Sequence, residues 1–282
     1  NIDLNGIFSA GLEIDPSNTI SFNSILLRST TRAGLIQQGF VSEVAQIVQD
    51  VRSQWIERQA WMNQLTGSHL IDLFPENQVL DMTTIDWRVS YSTAQRDSKD
   101  QKDYRYVFND TDQVFRISTN TSDGNKIGFG ALDDTTWDGG IDVSQPMNFG
   151  GTFLVNANFG GAYTKTERVS DFLRFRFRPA PGFASNPDLR EQVPEIIYGT
   201  TNIDPLGFKL EKDSSEAEAF SASIETQAGY FQLDAQVAPT LRFAAGVRYE
   251  SGAQVSDSFA RLTVFCVDVP VHQQPATCET NA

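Results

Sequence analysis

Along residues 218–250, EAFSASIETQAGYFQLDAQVAPTLRFAAGVRYE, apolar and polar positions alternate on both sides of a very short turn at Ala238-Pro239-Thr240. On the second arm Leu241, Phe243, Ala245, Val247 and Tyr249 fall on one side. Arg242, Ala244, Gly246, Arg248 and Glu250 fall on the other. A period of two with one apolar side marks a strand wetted on a single face. A tight turn at one end and a long polar connection at the other is the layout of a transmembrane β-barrel hairpin.

The same pattern recurs. Residues 7–14 and 19–28 flank Asp15-Pro16-Ser17-Asn18, turn residues in a turn position, with Pro16 where its missing N–H costs no ladder bond. Over 84–94, Ile85, Trp87, Val89 and Tyr91 oppose Asp86, Arg88, Ser90 and Ser92. Trp and Tyr on the apolar side suit a lipid–water boundary, or equally the core of a β-sandwich. Residues 136–146 read as a short strand ending at Pro146, and 152–178 form the longest run. There Phe153, Val155, Ala157, Phe159 and Tyr163 share a side, and the run closes on Arg174, Arg176 and Arg178 alternating with Phe175 and Phe177. A run this long exceeds the roughly 9–11 residues that cross a bilayer, so its end is expected to project beyond one.

Between the strands the pattern fades. Residues 31–50 read as a polar connection, and so do 66–81, 95–135 and the Pro-rich stretch 179–216. Within 95–135, strand-like pieces occur at 104–108 and 114–118. Over 41–65, Val41, Val44, Val48, Val51, Trp55, Met62 and Leu65 recur at helical spacing. With strands on both sides, 41–50 is read as a loop of helical character and 51–65 as strand. Short connections near 16–18, 147–151 and 238–240 thus alternate with long ones, as expected of a barrel with short turns on one side and long extracellular loops on the other, although the 66–81 link, on the short side by order, is of intermediate length. The tail from 257 carries one further alternating piece.

Composition narrows the classes. No window approaches the roughly 18 uninterrupted apolar residues of a membrane helix, whereas alternation dilutes the apolar residues of a barrel. The net charge of -14 and the lack of a basic patch argue against a nucleic-acid partner. Cys266 and Cys278 can close a small disulfide loop, which would fit an oxidising compartment, or stand as two thiols. The chain starts at Asn1 in mid-pattern and ends at Ala282 without closure, which suggests a piece of something larger.

Four stretches together resemble the barrel of TonB-dependent outer-membrane receptors: IDWRVSYSTAQRD at 85–97, WDGGIDVSQP at 137–146, FGGAYTKTERVSDFLRFRF at 159–177 and AGYFQLDAQVAPTLRFAAGVRYE at 228–250. The resemblance implies an all-β, antiparallel transmembrane β-barrel, present here in part, as about eight or nine of the roughly 22 strands such transporters carry. It implies that residues 1–282 belong to the barrel and that the plug domain and its energy-coupling box are not in this chain. It further implies a bacterial outer membrane with lipid and lipopolysaccharide around the wall. A scarce nutrient (a siderophore, haem, cobalamin or oligosaccharide) would be imported with energy passed from TonB through the plug. The alternatives are a passive porin-type channel and a secreted β-sandwich adhesin or sugar-binding domain.

Candidate chemistry is sparse. His69 and His272 are too few for a zinc or haem constellation, and no hydrolase, metalloprotease or phosphate-loop motif is present. Neither an enzyme nor a cofactor is therefore expected. Asp133, Asp134, Asp138 and Asp142 match no calcium loop and read as a solvated acidic stretch rather than a metal site. Arg174, Arg176 and Arg178 could attract an anionic ligand, or pair with acidic loop residues such as Asp171 or with lipopolysaccharide phosphates. Tyr104 and Tyr106 could stack on a sugar or siderophore ring, or form a small local core.

Overall fold

A computed structural model describes residues 1–42, 45–120, 124–151, 153–203, 207–213 and 218–258. The alternating runs form ten antiparallel strands in one sheet. They are β1 (Ile2–Asp15), β2 (Asn18–Val41), β3 (Gln46–Ile71), β4 (Thr83–Asn109), β5 (Val114–Ile117), β6 (Lys126–Asn148), β7 (Leu154–Pro179), β8 (Phe208–Lys212), β9 (Ala219–Ala238) and β10 (Leu241–Ser258). The main path runs β1-β2-β3-β4-β6-β7-β9-β10, with β5 appended to β4 and β8 to β7. The sheet is open, and β1 and β10 are its edges.

Three expectations are corrected. The connection expected at 31–50, with helical character over 41–50, is mostly strand among the described residues, because β2 runs to Val41 and β3 starts at Gln46; 51–65 is strand, as expected. Helical spacing misled because β3 carries apolar residues on both sides. Trp55, Val51 and Leu65 point one way, and Ile56, Val48 and Met62 the other. Likewise 95–135 is mostly strand, and the short strand expected at 136–146 is the end of a 23-residue β6. Residues 32–40 of β2 are exposed on both sides, so the apolar alternation that reveals a strand is missing from them.

The two ends of the sheet differ. At the turn end, Ser17 N–H donates to Asp15 Oδ1 at 2.8 Å, and the Asn18 amide donates to the same carboxylate at 2.9 Å. Between β6 and β7, Gly150 and Gly151 adopt φ of 94° and 63°, a left-handed conformation that glycine enters without strain. At the other end, 180–203 forms three single helical turns, α1 (Pro181–Ala184), α2 (Pro187–Arg190) and α3 (Pro194–Ile197). Each opens on a proline, whose fixed φ and missing N–H suit the first helical position.

Directly paired residues on neighbouring strands point to the same side, so the register sorts the side chains into two faces. One is aromatic: Phe22, Leu65, Val89 and Tyr163 lie in consecutive rows with Trp87, Ile141, Phe159, Phe231 and Val247. The other is polar, with Arg88, Asp142, Asn158, Gln232 and Asp234. Toward the capped end, the aromatic face passes through a polar belt that includes Glu57, Asp97, Gln95 and Glu167, then becomes apolar again at Tyr104, Tyr106 and Phe177.

Only the second apolar zone is covered. Phe183, Ile197, Tyr198 and Phe208 close over Tyr104, Tyr106, Ile117 and Phe177, leaving Phe177 6% exposed and Ile197 0%. Tyr198 stacks on Phe177 at 4.1 Å between ring centroids and on Tyr104 at 5.2 Å. On the lower zone nothing packs among the described residues. Trp137 stays 52% exposed, and Phe159, Phe231 and Val247 are exposed with it. Among the described residues no second sheet lies against either face.

Candidate functional site

The polar face gathers its charges toward the capped end. Antiparallel register sets Asp50 opposite Arg105 and Arg52 opposite Asp103. Arg105 clasps Asp50 through both nitrogens of its fork, at 2.7 and 2.9 Å, and Arg52 meets Asp103. Two strands on, Lys126 faces Arg176 directly, and Asp213 sits between them, bonding Lys126 at 3.0 Å and also Arg176. Asp50, Arg52, Asp103, Arg105 and Lys126, with Arg174, line a cavity of about 400 Å³.

The arginine ladder of β7 stands at this rim, on the polar face, as its alternation predicts. Its charge is met by acids of the following segment. Arg174 pairs with Glu218 at 3.0 Å, Arg178 with Glu211 at 3.0 Å, and Arg176 with Asp213. Asp171, the acid nearest in sequence, lies opposite Ala131 and Ala219 on the other face. The true partners are legible only once β8 is seen to pair alongside β7.

Tyr104 borders this cavity and Tyr106 does not. Both rings lie in the capped core, 8% and 6% exposed, and the Tyr106 hydroxyl donates to the Gln192 carbonyl at 2.9 Å. Burial, followed by the Glu195 carboxylate, pushes the Tyr106 phenol up to about 12. Burial likewise raises Tyr104 and Tyr198. Near them the Arg190 guanidinium is lowered by burial and then by Arg116, and it donates to the Ile117 carbonyl at 3.1 Å.

Farther toward the turn end, the polar face carries a connected set of bonds. Arg88 reaches Asp138 and Asp142, each at 3.4 Å. Thr164 donates to Asp138 at 2.8 Å, and Tyr230 donates to Asp142 at 2.7 Å. Asp134 is held by both arms of Arg168, at 2.6 and 2.7 Å. The acidic run of β6 is thus spent on arginines and hydroxyls, and Asp133 points to the opposite face. Among the described residues no cluster of three or more metal-ligating side chains occurs.

His69, expected in a connection, lies in β3 on the aromatic face. Its Nδ1 is bonded to Asn18 Oδ1 at 2.8 Å, and its Nε2 accepts from Trp87 Nε1 at 3.0 Å, so both ring nitrogens are engaged. Cys266, Cys278 and His272, with the alternating piece of the tail, lie outside the described residues.

What this face can do chemically is hold a polar or ionic molecule among exchangeable charge pairs. Comparison with protein-family models, with curated proteins and with solved structures gave no match.

Proposed function

We propose that this sheet is part of the wall of an outer-membrane β-barrel, and that the protein is a bacterial receptor of the TonB-dependent kind importing a scarce nutrient. The observation that carries the reading is the unequal treatment of one face. Near the capped end its apolar residues are sealed beneath helical turns. Lower down an equally apolar zone, edged by Trp61, Trp137 and Tyr163, is left bare. Exposed apolar area of this extent is costly in water and favourable against lipid tails.

The dimensions agree. Phe153, just before β7, and Tyr163 on it bound the zone, a rise of roughly 33 Å at about 3.3 Å per residue. A tilt of about 40° brings this to the height of about 25 Å typical of an outer-membrane apolar band. The belt with Glu57, Asp97 and Glu167 then falls at the headgroups, and the capped core and 400 Å³ cavity fall outside the membrane. A sandwich is disfavoured by the single bare sheet. The importer is preferred to a porin on the resemblance of the four stretches quoted above, with lipopolysaccharide and lipid around the wall and TonB as energy source.

Tryptophan quenching tests the placement. With the protein reconstituted in vesicles of acyl-chain-brominated lipid, Trp61 and Trp137 should be quenched and Trp55, beyond the polar belt, should not. A protein that stays soluble without detergent and shows equal emission in both lipids would sink the reading. Import is tested by growth on a single limiting nutrient, which should fail without this protein and equally without TonB.

A further inference from the structure

Every arginine described on the polar face has a carboxylate except two. Arg88, Arg168 and Arg242 each meet an aspartate, and the ladder of β7 is paired throughout. Arg58 and Arg96 have no ion-pair partner among the described residues, yet the register sets them directly opposite one another on β3 and β4. Like charges facing across adjacent strands repel, so this pair is an arrangement that a bound anion would relieve.

Their surroundings differ from the rest of the face. Leu132 lies opposite Arg96 on β6, and the next row toward the turn end is Leu27, Ala60 and Ala94. Arg58, Arg96 and this apolar floor, with Ser29 and Gln95 beside them, line a cavity of about 340 Å³, within the size range of small-ligand sites. The nearest acid on the floor side, Asp134, is held by both arms of Arg168. Asp3 lies across from Ser29, two strands away from Arg58.

We propose that Arg58 and Arg96 form a binding site for a small organic anion, a phosphate or carboxylate carried on an apolar body. The two forks take the anionic head, each able to give two parallel N–H bonds. The leucines and alanines take the body, and the site's chemistry excludes neutral and purely inorganic ligands from tight binding. This site is separate from the ion-paired cavity at the capped end, and it stands on strand register whether or not the opposite face meets lipid.

The test is calorimetric titration of the full chain in nonionic micelles with phenyl phosphate, inorganic phosphate and phenol. Phenyl phosphate should bind saturably and more tightly than either of the others. Arg58→Gln and Arg96→Gln should each weaken it by about tenfold or more, the size of a lost charge-assisted bond. Arg58→Lys, which keeps the charge but loses the fork, should fall between. Leu132→Asn should weaken phenyl phosphate and leave inorganic phosphate unchanged. Thermal melting confirms that each variant is folded. The proposal is overturned by absence of saturable phenyl phosphate binding, by unchanged affinity in both glutamine variants, or by equal weakening in Arg248→Gln.

Discussion

The indole of Trp87 lies across Gly67, its cross-strand partner, so closely that a methyl group at Gly67 would stand 2.4 Å from the ring. The glycine is the space the indole occupies, and it lets Trp87 reach His69. Gly67→Ala should therefore destabilise the sheet by about 1–3 kcal/mol through overpacking. Urea unfolding in micelles would measure it. The penalty should shrink sharply in a Trp87→Ala background, and simple additivity of the two changes would refute the contact.

The faces make opposite demands on one strand. Val247 sits mid-zone on the aromatic face, in the row of Phe231, Phe159 and Ile85. Val247→Arg is expected to cost about 2–4 kcal/mol in folding into a bilayer. Ala244→Arg, on the polar face of the same strand, should assemble nearly as the parent does. Equal assembly of both variants would count against the assignment of the faces to lipid and water.

The capped core should melt as its own unit. Ile197 is fully buried beneath the cap, and Ile197→Ala removes contacts worth about 2–5 kcal/mol. Proteolysis in 181–203 should accelerate while hydrogen exchange in β9 and β10 stays unchanged. Loss of protection in both places would mean that cap and sheet unfold together.

Alkali should open the same core. The Tyr106 phenol ordinarily ionises near pH 10 and is pushed up to about 12 by burial. A raised folded value means that the fold favours the neutral phenol. Its stabilisation is complete below about pH 10 and is lost as pH rises through about 12. Tyrosinate absorbance should show a late-titrating component that shrinks by one tyrosine in Tyr106→Phe, leaving that of Tyr104 and Tyr198.

Asp213 carries two cations, and its side chain is only 15% exposed. Asp213→Asn leaves Lys126 and Arg176 facing each other across β6 and β7. A loss of about 1–3 kcal/mol is expected, between that of an exposed and a buried pair, and it should ease in high salt. Glu211→Gln, which frees only the more exposed Arg178, should change stability by less.

Strands with one apolar side were legible from sequence, and 84–94, 152–178 and 218–250 pair with the facing their alternation implied. A strand end wet on both sides was not, which is why Thr31 to Phe40 reads as a connection. The prolines at 181, 187 and 194 were visible as loop markers. Their role as first residues of helical turns depends on the packing of Ile197 and Phe183 onto β4 and β7, which no local pattern shows. Of the candidate site, the alternation of Arg174, Arg176 and Arg178 was readable and their acids were not. Glu211 and Asp213 reach them through the β7–β8 pairing. The opposition of Arg58 and Arg96 is likewise a property of register between two strands, invisible along either one.

The main path from β1 to β10 contains an even number of strands. Its two edges therefore run in opposite directions, and their free backbone groups are matched in polarity. They can be joined to each other directly, or through any even number of added strands, with every neighbour still antiparallel. An odd number would force one parallel seam, so any ring that includes this sheet inherits a parity from it.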